Sequence, residues 1–434
     1  MENSPPANPY HPPSGDEPVL AAFAGRQEAF ARLEQHLTGP AAGSALLFLG
    51  RRHVGKTALL QRFNTFFDDT FMDAFLPLNH APLNSEPVWL LHVVQNIAKA
   101  LAARDFTLSR LPEPPESQAA IREWFAETYL AELCSIIRYR RLVLLLDDAE
   151  HLADATDGGK LSADHLTYWQ ELLQRYPQLG MAATLDTAHE TRIPSLSPLL
   201  NVTDTFRLTN LSPDEGRWLL QQPVRSVYTV SDEMADMLYK AAGGEPHLLQ
   251  HIGDRLFRRW EASPDHTTIT REDVKAVTAQ VAADNEPEFR QTWQETTRNE
   301  RLVLTAITSL LYDDPLKTID AAAIEGWLVE TDYPLDMTAI NAALRSLEYR
   351  EVIGGTQSAV TITAGMMQMW LLENARLSDQ PAEVSRQQPL ALDWRWVIAA
   401  VVVLVLALLL SLSAGRQPGG NAPPLATVTL AGGE

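Results

Sequence analysis

The chain has 434 residues, 45% hydrophobic and 21% charged, with a formal net charge of −20. That length allows two to four domains, and the acidic balance excludes a general nucleic-acid coat, which needs clustered Lys and Arg, while leaving room for a local basic patch. Cys134 is the only cysteine, so an internal disulfide is excluded; it falls on an apolar helical stretch, reads as a core thiol and fits a reducing cytosol.

Residues 1–18 carry Pro5, Pro6, Pro9, Pro12, Pro13 and Pro18 without an apolar core, so they read as a disordered leader and not as a signal peptide. Phe23-Ala24-Gly25-Arg26 then precede an amphipathic helix at 27–37, with Phe30, Leu33 and Leu37 on one face. An apolar run from Ala45 reads as a buried strand. It ends in Gly50-Arg51-Arg52-His53-Val54-Gly55-Lys56-Thr57, and Ala58 opens a helical pattern. Strand, glycine-rich loop and helix are the context of a phosphate-binding P-loop. Its backbone N–H groups would cradle phosphates at the positive helix end. Lys56 would reach the β- and γ-phosphates, and the Thr57 hydroxyl would ligate Mg²⁺.

A second strand follows at 71–78, then helices at 86–103 and, capped by Ser117, at 117–137. Leu142 to Leu146 form an aliphatic run that ends in Asp147-Asp148. A buried parallel strand with carboxylates at its end is the Walker B pattern. Asp147 would hold the Mg²⁺ shell, and Asp148 would orient the attacking water, with Glu150 close enough to share that role. A helix at 163–176 and a strand at 180–187 follow. Asp186 or Thr187, at that strand's end, could touch the γ-phosphate or cap a loop. A short fifth strand is expected at 205–208. Alternating β and α elements imply a parallel sheet with ligand at the carboxyl ends of the strands.

From Leu211 onward the pattern is helical. Ser212-Pro213 starts one helix, and others are expected at 231–242 and 246–260, joined by Gly243-Gly244-Glu245-Pro246. His247 and His251 read as surface or core histidines, because no further ligand set accompanies them. Helices at 299–311, 319–329 and 337–350 and a hairpin at 352–363 form a winged-helix pattern. Its third helix balances Arg345 and Arg350 against Glu348 and Glu351, so DNA binding is possible but not favoured. A helix at 366–372 closes this part. A polar linker at 377–393 leads to 394–415, where an uncharged run from Trp396 is long enough to cross a bilayer. Trp394, Trp396, Arg395 and Arg416 suit its two interfaces. A short tail fills 416–434.

These stretches in this order resemble the STAND branch of AAA+-related P-loop ATPases, above all the bacterial and archaeal ATPases grouped with origin-recognition-type proteins. The resemblance spans residues 18–372. It implies an α/β P-loop NTPase core at 19–210, a helical lid at 211–285 and a winged-helix domain at 286–376. It also implies that Gly25 and Arg26 lie near the adenine and ribose, and that the box ending in Pro246 senses the nucleotide. Family members act as slow switches that oligomerise or open when ATP replaces ADP. Two departures argue against motor-like turnover: Asp148 stands where a Glu is usual, and no sensor arginine stands beside Pro246. The expectation is therefore a single-pass protein of the inner (cytoplasmic) membrane with its ATPase domain in the cytoplasm. It would bind ATP and Mg²⁺, hydrolyse slowly and form a homo-oligomer on ATP binding. A membrane-tethered DNA- or protein-binding regulator and a non-hydrolysing scaffold stay open as alternatives.

Overall fold

Ala45 to Gly50, Arg141 to Asp147 and Leu179 to Asp186 are almost wholly buried runs, and only strands covered on both faces tolerate that. The computed structural model describes residues 6–10, 22–313, 319–356 and 359–375. The linker, transmembrane helix and tail expected beyond 376 lie outside them. Among the described residues no helix is long and apolar enough to cross a membrane.

The first half runs α1 Gln27–Thr38, β1 Ala45–Gly50, α2 Lys56–Gln61, β2 Phe71–Pro77, α3 Glu86–Ala102, α4 Leu130–Ile137, β3 Arg141–Asp147, α5 Glu150–Asp157, α6 His165–Arg175, β4 Leu179–Asp186 and β5 Leu200–Leu208. The strands form a parallel sheet in the order β2-β3-β4-β1-β5. The two-residue period of the strands sorts their side chains into two cores. Leu47, Leu144 and Ala183 face α3, α4, α5 and α6. Leu46, Val143 and Ala182 face α1, α2 and Phe63. With β4 inserted between β1 and β3, the carboxyl ends of all three strands converge on one edge.

Two sequence expectations change here. The helix expected at 117–137 is broken. A 3₁₀ turn Gln118–Ala120 and a helical turn Ile121–Glu123 lead into a π-helical Trp124–Tyr129 before α4. The widened turn accommodates aromatics: Phe125 stacks on Tyr129 at 5.7 Å and meets Trp169 edge-on at 5.5 Å. Strand β5 begins at Leu200, ahead of the expected 205, and pairs with β1 through a register irregularity between Ala45 and Leu47.

The second half runs α7 Pro213–Gln221, α8 Asp232–Ala242, α9 Pro246–Ala262, α10 Arg271–Asp284, α11 Glu286–Gln294, α12 Arg298–Asp313, α13 Ala321–Glu330, α14 Met337–Tyr349, an antiparallel hairpin of β6 Ile353–Thr356 and β7 Ala359–Ile362, and α15 Gly365–Asn374. One apolar core runs through them all, with Leu238, Phe257, Val281, Phe289, Ile307 and Leu371 buried in it. Sequence reasoning missed α10 and α11. The buried face of α10 is built on Val274, Val277 and Val281, which are mediocre helix formers. Its start was nonetheless written in Thr270-x-x-Asp273, a reciprocal capping box.

Part of the expected leader, residues 6–10, is ordered against the helical half. Tyr10 is 3% exposed, and its hydroxyl donates to the Leu219 and Leu220 carbonyls at 2.9 and 3.3 Å. Those carbonyls close the end of α7, where helix acceptors lack partners of their own. The Asn8 amide donates to Asp254 at 2.8 Å, and the Ala22 N–H donates to the Pro9 carbonyl. One buried aromatic with its hydroxyl satisfied thus overrides the local proline composition. Tyr10→Phe keeps the ring and removes these bonds, so denaturant unfolding should show a loss of about 1 kcal/mol.

Candidate functional site

At Gly50 strand β1 ends and the chain curls through Arg51 to Val54. Gly55, at φ +92°, turns it into α2 in a backbone region open to glycine. Lys56, 7% exposed, follows at once. Its Nζ donates at 2.9 Å to the Gly50 carbonyl, the Arg51 carbonyl and Asp186 Oδ2, which uses all three ammonium hydrogens. Asp186 is there because of sheet register: parallel pairing sets it directly beside Gly50. Asp186 Oδ1 accepts the Ala188 N–H at 2.9 Å. Thr187 lines the same cleft.

The Thr57 hydroxyl donates to Asp147 Oδ2 at 2.7 Å. Thr184, fully buried on β4, donates to Asp147 Oδ1 at 2.6 Å and accepts the Asp148 N–H at 3.0 Å. Sequence reasoning missed Thr184. Its signal was a lone hydroxyl within the apolar run Met181 to Leu185. Thr57 and Asp147 present hard oxygen donors to one point, a donor set that suits Mg²⁺ with part of its water shell retained.

Asp148 holds a left-handed φ of +61°, a conformation Asp tolerates better than most residues. The Thr184 hydroxyl pins it there. Burial, and then the Asp147 charge, raise the Asp148 pKa above the usual carboxylate range. Glu150, 7% exposed, opens α5. Among the described residues its Oε2 has no hydrogen-bond partner. Burial, and then repulsion from Asp148, raise its pKa as well.

On the opposite wall, the P-loop touches the helical half. Arg51 donates to Glu245 and Asn210 at 3.4 Å and lies 3.8 Å from Glu351, a residue that follows α14. Arg52 donates to Gln291 at 3.1 Å. His53 stacks on His247, with ring centroids 4.3 Å apart, and His247 meets His251 at 4.2 Å. Burial pushes both His53 and His247 down to about 4. The cationic Arg52, Lys56 and Arg51 add to this at His53, and the neighbouring His53 adds to it at His247. These histidines therefore form a neutral stack that joins the P-loop to α9. Arg26 donates to the carbonyls of Val54 and Thr209 at 2.7 and 2.8 Å, so its guanidinium braces the P-loop backbone. The Gly25-Arg26 turn is pinned by Glu215, which accepts the Arg26 N–H at 3.3 Å. Ala58 and Pro246 border the same cleft of about 1230 Å³. Gly25, Gly50 and Asp147 stand outside its lining.

No family model and no curated protein matches the chain. Solved structures do. The Walker-type ATPase of Pyrococcus abyssi is similar over 81% of this chain and 96% of its own, at 16% identity and a TM-score of 0.53. This chain has a P-loop fold. Cdc6p from Pyrobaculum aerophilum aligns over 83% of this chain and 98% of its own, at 14% identity and a TM-score of 0.40. The RuvB branch migration motor of Thermotoga maritima aligns over 79% and 94%, at 14% and 0.38.

The raised pKa of Glu150 has a consequence for stability in this fold. In the folded chain Glu150 holds its proton to a higher pH than it does unfolded. Across the window between those two pKa values the folded state binds more protons, so stability falls as pH rises and stays lower above it. Glu150→Gln removes this linkage. Unfolding measured from pH 4 to 8 should show the variant more stable than wild type at the alkaline end, with the two curves converging at the acid end.

Proposed function

We propose that the chain binds ATP with Mg²⁺ in this cleft and hydrolyses it slowly, as a nucleotide-dependent switch. The observation that carries the reading is the convergence of Lys56, Thr57 and Asp147 at the start of α2 and the carboxyl edge of the sheet. The α2 amides and the Lys56 ammonium would hold the phosphates. Thr57 and Asp147 would hold Mg²⁺, which when bound neutralises charge on the phosphate oxygens. Asp148 would orient the attacking water, and Glu150, buried and with Oε2 unpartnered among the described residues, would share the task of taking its proton. Asp186 would exchange Lys56 with the terminal phosphate.

In this reading α7 to α10 form the lid, and α12 to α14 with the β6–β7 hairpin form a winged-helix module. The Arg51 contacts to Glu245 and Glu351 tie both parts to the P-loop. Nucleotide exchange would loosen these contacts and expose surfaces for self-assembly. The apolar run at 394–415 would anchor the protein in the inner membrane, with the ATPase part in the cytoplasm.

Equilibrium binding of ATP in the presence of Mg²⁺ tests the site. Lys56→Ala removes charge-assisted bonds to phosphate, so affinity should fall by about 10- to 100-fold. Equal affinity in the two proteins would sink the reading. Turnover that rises with protein concentration would support assembly.

A further inference from the structure

The cleft has a polar end and an apolar end. Lys56, Asp148 and Asp186 mark the first, and Tyr10, Ala22, Leu211, Leu219 and Leu248 wall the second. A nucleotide with its phosphates at the P-loop leaves its base for the apolar end, where Gln250 stands beside the Ala22 carbonyl. Gln250 lies on α9 three residues after His247 and four after Pro246. That spacing puts it on the same helix face, one turn of about 5.4 Å beyond the residues that meet the P-loop. Its Nε2 donates to the Ala22 carbonyl at 2.6 Å. A carbonyl only accepts, so this bond fixes which way the amide points. The other end, Oε1, is buried and has no donor among the described residues. A buried acceptor without a donor is costly, and ligand chemistry that supplies an N–H removes the cost.

We propose that Gln250 Oε1 reads the exocyclic amino group of adenine and thereby selects adenine over guanine nucleotides, an inference that rests on the nucleotide reading above. Adenine carries an amino donor at C6, whereas guanine carries a carbonyl acceptor there. An acceptor facing Oε1 leaves two lone pairs opposed, and a ring without a 6-substituent leaves Oε1 unpaired. The N-terminal segment contributes through both Tyr10 of the leader and Ala22 after it, because Ala22 supplies the bond that orients the amide and both residues form part of the apolar wall.

The test is equilibrium binding to the full 434-residue chain with Mg²⁺, using ATP, GTP and purine riboside triphosphate, which lacks the 6-amino group. Wild type should bind ATP about tenfold more tightly than purine riboside triphosphate, the worth of one hydrogen bond, and GTP more weakly still. Gln250→Leu should bring ATP and purine riboside triphosphate to equal affinity. Equal affinity for these two in wild type overturns the proposal, and that comparison needs no variant. An unchanged ratio in a folded Gln250→Leu protein overturns it too. If wild type binds ATP and Lys56→Ala does not, while the 6-amino group makes no difference, this inference fails and the site reading stands. If wild type binds none of the three, both fail.

Discussion

Thr184→Val is expected to cost about 3 kcal/mol of stability and to abolish the Mg²⁺-dependent hydrolysis proposed above. The substitution preserves shape at a fully buried position, so no cavity term enters. What it removes is the hydroxyl that donates to Asp147 Oδ1 and accepts the Asp148 N–H. Each buried group left unpaired costs roughly 1–3 kcal/mol, and more when charged. Asp147 keeps its bond from Thr57, but its other oxygen loses its donor, and Asp148 loses the bond that holds its left-handed backbone. Urea unfolding should show a lower midpoint at an unchanged slope, and Thr184→Ser should restore most of the loss. Wild-type stability in the valine variant would mean that the hydroxyl does not organise the acids.

Gly243→Ala is the second large effect, at about 3 kcal/mol. Gly243 ends α8 at φ +64°, and its N–H donates to the Tyr239 carbonyl at 2.8 Å. This left-handed cap is glycine's ordinary place after a helix. A Cβ here would lie 2.5 Å from the Thr363 carbonyl oxygen and 2.6 Å from its carbon. Both are backbone atoms, so no rotamer change relieves the contact. Strain from the left-handed residue, of order 1 kcal/mol, adds to the displacement of the strand end after β7. Hydrogen exchange should therefore speed up in β6, β7 and α15 while β1, β3 and β4 stay protected. A loss of nucleotide affinity with intact stability would assign the glycine box to the ligand instead of to packing.

Much of the sheet and the P-loop could be read from the chain, because the rules involved act over a few residues. An aliphatic run that ends in Gly50 or in Asp147 declares a buried strand and what stands at its tip. Gly55-Lys56-Thr57 declares the helix start. The interrupted helix at 121–137 and the valine-built α10 were harder. In the first, packing against Trp169 overrode the periodicity, and in the second, propensity masked the capping signal.

Long-range pairing was a different matter. From the sequence, Asp186 and Thr187 were equal candidates for one role. The register of β4 against β1 put Asp186 on Lys56. Thr184 was one hydroxyl in an apolar strand until the strand order placed β4 beside β3. Tyr10 and Ala22 meet α7 and α9 only through contacts more than 200 residues away in the chain, and Gln250 had no visible partner. The sequence by itself determined where the backbone would turn and which residue types would gather at the strand ends, since backbone sterics and alternation are local. Only the tertiary structure decided which carboxylate faces which cation and which buried amide oxygen has no donor among the described residues. Those pairings depend on sheet order and helix packing, which no local pattern encodes.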